Sequence, residues 1–512
     1  MAQVEPARSL PALWDRSGPD DGEDTLAVDA LLVRPTADEV RALPSFLDAL
    51  RRIGERAGRP FERLPLDVQN ALIERRLRQL VEVCRANPLW RARIDGAIGS
   101  RPLASLAAFQ DVPATDKETA RLFYTGERPG MVVPLSHGGF QIATSGGTAS
   151  GQPTEIVYPL DELADTYRWA GEFIGRHIVD SLMPPGEARW VACTLADHMM
   201  WSSSSMVGGV LQSIPGINYI AAGAIDPQVF GRILAYPGSK AIMGISRSIA
   251  DLVAYAADVP ADDRASLRIA MYGSGALQPK VHAALKALYP NLSIVSFFAA
   301  MQAETIGLQL DPASPVLTAI PGLHLVEIVD DDGRWVGVDE EGDLLVTRLF
   351  GNGAPVLRYR LGDRVVRRPD LVSAELNALR FEYVGRSGDR FALAGIPFHA
   401  PAALAAIVRS LRDAGLADLE AEADDVQIRL DHGAWRVRIV ATTARPAPTD
   451  PRRAERAILT GLARAASLAV TDANLARLQG GGHTFELALV PPGSPELHTT
   501  EVGKTPLLVE QG

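Results

Sequence analysis

The stretch Thr144-Ser145-Gly146-Gly147-Thr148-Ala149-Ser150-Gly151-Gln152-Pro153-Thr154 packs glycines and hydroxyls together. Glycines let backbone N–H groups approach an anion closely, and serine and threonine hydroxyls add donors, so such a stretch can cradle a polyphosphate. It is not the GxxxxGK[ST] loop, because no lysine follows its last glycine. On composition alone a Gly/Ser stretch is more often a linker. Further groups follow it in order along the chain. Glu304 stands just past the apolar run around Phe297 and Phe298. Tyr359-Arg360-Leu361-Gly362-Asp363 follows another apolar run, and its aspartate could accept hydrogen bonds from two sugar hydroxyls or simply close a turn. Gly385-Arg386-Ser387-Gly388-Asp389 lies where the pattern of the chain changes, and Gly503-Lys504-Thr505 sits near its end, where a lysine is usually solvated.

The elements that must carry these residues can be read from hydrophobic periodicity. After Asp67, which can cap a helix, Val68, Leu72, Ile73, Leu77, Leu80, Val81 and Cys84 recur at helical spacing until Asn87-Pro88 stops them. Between about 140 and 350, short apolar runs read as strands: Trp190 to Leu195, Ala241 to Ile245, Ile269 to Tyr272 and Ile294 to Phe298. Longer stretches between them, such as Pro279 to Leu288, suit helices, and this alternation predicts an α/β architecture with largely parallel pairing. Leu325 to Val329, Leu344 to Leu349 and Phe381 to Val384 read as strands joined by turns. Beyond a boundary near 385 to 390 comes a small α+β set. It has a helix at Pro401 to Leu411, a hairpin of Val426 to Leu430 and Trp435 to Val440 around Asp431-His432-Gly433, a helix opened by Asp450-Pro451, and a last strand at Phe485 to Val490. The expected division is therefore a loose arm over 1–40, a large domain over 41–386 and a small domain over 387–512.

Taken together, the motifs resemble the adenylate-forming superfamily of acyl-CoA synthetases, peptide-synthetase adenylation domains and firefly luciferase. They are nearest in pattern to the phenylacetate-CoA ligases. The resemblance runs from about residue 67 to the C-terminus. The phosphate loop of that family, [ST]SG[ST]TG-x-P, matches the stretch from Thr144; its Y-x-x-x-E matches Ala300 to Glu304 by the glutamate; its Y-R-x-G-D matches Tyr359 to Asp363. Its G-R-x-x-D hinge matches Gly385 to Asp389, and its C-terminal G-K matches Gly503 and Lys504. Gly273-Ser274-Gly275-Ala276-Leu277 resembles the G-G-E-P-L segment beside the adenine, and Asn87-Pro88-Leu89-Trp90-Arg91 resembles the N-x-P-F-Y-R segment of the phenylacetate-CoA ligases. There are departures. The phosphate loop is two residues longer, Gln152 stands for its lysine, Ala300 replaces the tyrosine at the adenine with Phe298 as a substitute, and the G-G-E-P-L acid is missing.

The resemblance implies a large domain of mixed sheets and helices with a small mobile α+β lid. It also implies two half-reactions: a carboxylate attacks the α-phosphate of ATP to give an acyl-adenylate and pyrophosphate, and a thiol such as that of CoA then takes the acyl group. Lys504, Glu304 and Thr148 would be catalytic, with Glu304 and Thr148 holding Mg²⁺. Thr144, Ser145, Gly146, Gly147, Thr148, Ser150, Gly151, Gly273, Ser274, Gly275, Asp363 and Arg386 would bind the nucleotide, and the lid would swing about Asp389. His198, Trp201, Phe297, Phe298 and Met301 are candidates to line the acid pocket or to be core, and their character points to a flat, apolar acid. The acceptor is left open among CoA, a carrier protein and an amine, and a homodimer is also open. A non-catalytic nucleotide-binding relative would keep the fold, although the retained Lys504 counts against it.

The bulk composition agrees. A chain of 512 residues with 47% hydrophobic and 22% charged residues suits a globular protein of more than one compact unit. A net charge of -11 argues against broad nucleic-acid binding. The two cysteines, Cys84 and Cys193, lack metal or disulfide spacing and read as buried thiols. No apolar run long enough for a membrane span and no leader pattern appear, so a cytoplasmic location is expected.

Overall fold

The structure is a computed structural model that describes residues 35–145, 154–198, 200–444, 446, 450–480, 482–499 and 505–511. By the density of their internal contacts, the residues group into two compact units, Met1–Gly223 with Val295–Tyr383 and Ala224–Ile294 with Val384–Gly512. Residues 224–294 group with the C-terminal part.

The first unit opens with helices. Ala37–Arg41, which overlaps the end of the expected arm, forms a short helix closed by a Thr36–Glu39 capping box. Helix α1 (Leu66–Ala86) buries Val68, Leu72, Ile73, Leu77, Leu80, Val81 and Cys84, the face that the periodicity marks. Asp67 is not its cap. Pro65 precedes the first helical residue, and Asp67 falls in the first turn, where its charge suits the helix dipole. Asn87 ends α1 and starts α2 (Pro88–Ile98): its Oδ1 accepts from the N–H groups of Leu89 and Trp90 at 2.9 and 3.3 Å, and Pro88 sits where no N–H is needed. Strands β1 (Phe140–Thr144) and β2 (Glu155–Pro159) pair antiparallel, so the glycine-rich stretch connects a hairpin. Helix α3 (Leu160–Ile174) follows; β3 (Arg189–Cys193) pairs parallel with β4 (Asn218–Ala221), with α4 (Ser203–Gln212) between them.

Residues 224–294 belong to the second unit. Strands β5 (Ser239–Ile245) and β6 (Leu267–Gly273) pair parallel, joined through α5 (Ser246–Tyr255), and α6 (Pro279–Leu288) matches the expected helix. β5 is buried along nearly its whole length, the mark of a parallel strand covered on both faces.

From β7 (Ser293–Ala300) the first unit resumes, and the pairing changes. β8 (Glu304–Gln309) pairs antiparallel with β7, and β9 (Val316–Ala319) antiparallel with β8. β10 (His324–Val329), β11 (Glu341–Arg348) and β12 (Tyr359–Val372) are joined antiparallel in turn, and β13 (Asn377–Arg386) pairs antiparallel with β9. The expectation of largely parallel pairing therefore holds for β3·β4 and β5·β6 but not here. A short turn such as 301–303 can return the chain only antiparallel, because a parallel neighbour needs a long crossover. Beneath these strands Ile306, Leu317, Val346, Leu361, Val365 and Phe381 form one buried cluster.

The C-terminal part of the second unit has its own core. The hairpin β14 (Arg390–Leu393) and β15 (Ile396–His399) stacks Phe391 on Phe398 at 5.2 Å. Strands β16 (Ala423–Asp431), β17 (Arg436–Thr443), β18 (Thr484–Val490) and β19 (Leu508–Gln511) form a mixed sheet in the order β18-β17-β16-β19. Trp435, expected to begin a strand, lies instead in the hairpin turn at a φ of 51°. Helices α7 (Ala400–Asp413) and α8 (Pro451–Ala465) cover the sheet. They approach so closely at Gly461 that a Cβ there would lie 2.4 Å from the Ile407 Cα. Asp450 caps α8 with Pro451 at its first position, as its sequence predicts. Both cysteines are buried. Among the described residues no helix is long and apolar enough to cross a membrane.

Candidate active site

In the first unit the glycine-rich stretch has a defined neck. Thr144 ends β1, and its N–H donates to the Met200 carbonyl at 2.9 Å. The Ser145 N–H donates to the Thr154 carbonyl at 2.9 Å, and the Thr154 N–H donates back to Ser145 Oγ at 3.1 Å. These bonds close the base of the loop that could cradle phosphates. Gly146, Gly147, Thr148, Ser150 and Gly151 lie outside the described residues, as does Lys504. The Thr144–Met200 bond brings a second turn to the neck. His198 and Trp201 face each other across it, with His198 N to Trp201 O at 3.0 Å and Trp201 N to His198 O at 2.8 Å. Met200, in the left-handed region at φ 64°, is more than half exposed there.

Glu304 is the first residue of β8, directly opposite Ala300 on β7. Its φ of 48° is unusual for a residue with a side chain and follows from the tight return of the strand. The carboxylate is buried: Oε2 lies 3.1 Å from His324 Nε2, and Oε1 has no hydrogen-bond partner among the described residues. Tyr158 on β2 donates its hydroxyl to the Met301 carbonyl at 2.5 Å, in the turn just before Glu304. Burial first, and then the Glu304 charge, push the Tyr158 phenol well above its ordinary range, with the Arg348 guanidinium, 4.2 Å from the ring centre, opposing them. Tyr167 on α3 is pushed up by burial too, with Glu304 and Asp197 adding to it. Met301 packs beside Tyr158, Tyr167 and Met206, so one acid-pocket candidate shares neighbours with the carboxylate.

Phe297 and Phe298 are consecutive on β7, so their side chains leave opposite faces of the strand. Phe298 lies edge-on to Phe381 at 6.0 Å and tilted against Tyr383 at 5.7 Å. It rests on the core cluster there, and only one of the two rings can face any single pocket. Asp363 lies on β12 among Tyr359, Leu361 and Val365, alternate residues that are all buried. A carboxylate on the apolar face of a strand is costly unless something holds it. Gly362 beside it, at φ 79°, lies where the register of β11 and β12 shifts.

In the second unit Gly273 ends β6, and Ser274 and Gly275 follow at φ 63° and 140°. Ser246 Oγ, at the start of α5, is within bonding distance of the Gly275 and Gly273 carbonyls, at 2.7 and 3.3 Å, and so holds their turn. Arg386 and Asp389 close a second turn. The Asp389 N–H donates to the Arg386 carbonyl at 2.9 Å, and the Arg386 N–H donates to Asp389 Oδ2 at 3.0 Å. The Asp389 carbonyl then accepts from the Ala400 N–H at 2.7 Å, at the start of α7.

No protein-family model and no curated protein sequence matches the chain. Solved structures do. 2-Hydroxyisobutyryl-CoA ligase, in the postadenylation state with an acyl-AMP bound, superposes with a TM-score of 0.63 at 18% identity over 88% of this chain and 91% of that one. The chain has the adenylate-forming fold. An acyl acid amido synthetase in complex with 2,4-DB shares it, with a TM-score of 0.59 at 13% identity over 87% of this chain and 91% of that one. ATP-bound MatB from Rhodopseudomonas palustris matches with a TM-score of 0.50 at 14% identity over 71% of this chain and 66% of that one. At such identities the likeness is one of fold.

Within this adenylate-forming fold the first unit brings together the loop neck at Thr144 and Ser145 with the His198–Trp201 turn, and Glu304 with Met301. Sequence reasoning missed His324, Tyr158, Tyr167 and Arg348. His324 precedes an expected strand and is one polar residue in an apolar neighbourhood; only its pairing with Glu304, twenty residues earlier, gives it meaning.

Proposed function

We propose that the protein activates a carboxylic acid with ATP and passes the acyl group to a thiol such as that of CoA. A carboxylate oxygen of the substrate attacks the α-phosphorus, the bond from that phosphorus to the bridging oxygen breaks, and pyrophosphate leaves with the electron pair. The thiolate of the acceptor then attacks the acyl carbon, and AMP leaves. The observation that carries this reading is Glu304: a buried carboxylate with one oxygen that has no partner among the described residues, presented at a tight strand return of an adenylate-forming fold.

An unpartnered buried oxygen fits a hard divalent cation. Glu304, with Thr148, would hold Mg²⁺, whose charge would offset that on the phosphoryl oxygens. In this reading Lys504 binds the α-phosphate and carboxylate oxygens, where charge develops. Asp363 accepts from the ribose hydroxyls and Arg386 lies near the nucleotide. The turn at Gly273, Ser274 and Gly275 takes the adenine side, and the loop closed by Ser145 and Thr154 cradles the phosphates. Residues 387–512 act as a lid hinged at Asp389. His198, Trp201 and Met301, with one of Phe297 and Phe298, line a pocket for an aromatic or apolar acid. The Asn87 to Arg91 segment, a capped helix start with Trp90 fully buried, supports a phenylacetate-CoA ligase-like subtype. A carrier-protein thiol as acceptor and a homodimer belong to the same proposal.

A second reading, transfer to an amine, is favoured by the fold likeness to an acyl acid amido synthetase. A panel of carboxylic acids assayed for pyrophosphate release, with CoA, with amines and with neither, separates the readings. Acid-dependent release with loss of CoA thiol supports the ligase, and amide formation without thiol loss supports the second reading. No release with any acid leaves only a nucleotide-binding relative.

A further inference from the structure

The pair made by Glu304 and His324 extends the reading of Glu304 given above and rests on it. Both side chains are almost fully enclosed, at 4% and 2% exposure. A carboxylate can only accept, so the His324 Nε2 that faces Oε2 at 3.1 Å carries the hydrogen of this contact. Nδ1 is buried and without a hydrogen-bond partner among the described residues, as is Glu304 Oε1. The ring is therefore committed to one oxygen of one carboxylate. Glu304 itself sits on a strained backbone at the strand return, so its carboxylate can keep a fixed orientation only through what its side chain touches. His324, in the first position of β10, places its Nε2 3.1 Å from Oε2 of that carboxylate. The Tyr158 hydroxyl hydrogen is donated to the Met301 carbonyl.

We propose that His324 is a positioning residue: it binds Oε2 of Glu304 and so holds Oε1 towards a divalent cation that accompanies the nucleotide. The group touches neither substrate nor cation and acts through Glu304. An ordinary buried hydrogen bond would affect only stability; a positioning bond must also affect cation affinity, because outer partners of a ligand typically govern about 10- to 100-fold of it.

The probe is Mn²⁺, followed by its electron paramagnetic resonance during titration into the full chain with a non-hydrolysable ATP analogue. Affinity for the analogue without metal and the thermal midpoint are read in parallel. His324→Leu should weaken Mn²⁺ binding by about 10-fold or more while metal-free analogue affinity is unchanged. His324→Gln, whose amide N–H can reach the same oxygen, should recover most of the loss, and His324→Asn, with a shorter reach, should not. Glu304→Gln should lose Mn²⁺ binding, and in its background His324→Leu should add little further. Unchanged Mn²⁺ affinity in His324→Leu, with loss in Glu304→Gln, overturns the positioning role and leaves the function standing. Unchanged affinity in Glu304→Gln overturns both. If the leucine variant does not fold, equal affinity in the glutamine and asparagine variants overturns the proposal.

Discussion

Replacing Asp389 by proline tests whether the turn at 386–389 is a hinge. Proline deletes the N–H that donates to the Arg386 carbonyl at 2.9 Å, and the loss of the carboxylate deletes the acceptor that holds the Arg386 N–H at 3.0 Å. The Asp389 carbonyl, which accepts from Ala400, is kept. Two bonds at about 0.5–1.5 kcal/mol each put the loss at about 1–3 kcal/mol of turn stability, a shift of roughly 5- to 150-fold in any equilibrium that the turn controls. Proline also fixes φ near about −65°, so the position can no longer alternate between two backbone states. The buried cluster of the C-terminal part, built from Ile407, Ile428, Ile439, Ile458 and Leu462, does not depend on this turn, so the thermal midpoint should move little. The assay splits the reaction: pyrophosphate release with acid and ATP, and acyl transfer from supplied acyl-adenylate to CoA. Release should persist while transfer falls by about 10-fold or more. Asp389→Asn, which keeps the N–H and an accepting oxygen, should behave nearly as the parent. Equal loss in both half-reactions would make Asp389 a structural residue. Persistence of both would refute the hinge at Asp389.

Lys504→Ala should lose most adenylate formation and retain use of supplied acyl-adenylate, since its charge is needed where phosphoryl charge develops; equal loss in both steps would sink that role. Asp363→Ala should raise the KM for ATP strongly, because a buried carboxylate bonded to ribose hydroxyls is worth about 1.5–3 kcal/mol per charge-assisted bond; unchanged nucleotide affinity in a folded variant would refute the contact. Arg358→Met strips the charge partner from Glu327, which is 0% exposed and 3.1 Å away and keeps the Trp335 indole N–H at 2.8 Å, and should cost about 3–5 kcal/mol in denaturant unfolding. A loss below about 1 kcal/mol would show that the buried pair is not what holds these strands.

Element type was legible wherever the cause is local. The helix at Pro279 to Leu288, the Asp450-Pro451 start and the buried face of α1 follow from spacing, caps and proline, and each needs only its own residues. Strand direction was not legible by the same route. Ile294 to Phe298 reads like the apolar runs before it, yet β7 turns back at 301–303 and pairs antiparallel with β8. Only the length of the connection decides this, and the chain there contains no glycine or proline to announce the turn; Glu304 instead adopts the left-handed conformation itself. Nor does the sequence show that residues 224–294 group with the C-terminal part, since domain membership is a sum over distant contacts.

The same distinction runs through the candidate site. Asp363 is singled out by its motif, and the structure adds that it breaks an alternation: Tyr359, Leu361 and Val365 are buried at alternate positions on β12, and a carboxylate among them demands a partner. Glu304 breaks no such alternation, as it follows an apolar run and reads like a surface residue. What makes it chemical is depth. The strand return buries it, and His324 from another strand occupies one of its oxygens and leaves the other without a partner among the described residues. Burying a charge and then leaving half of it unsatisfied is unfavourable for folding alone. Under the proposed function, a cation that arrives with the substrate would supply the missing contact at this residue.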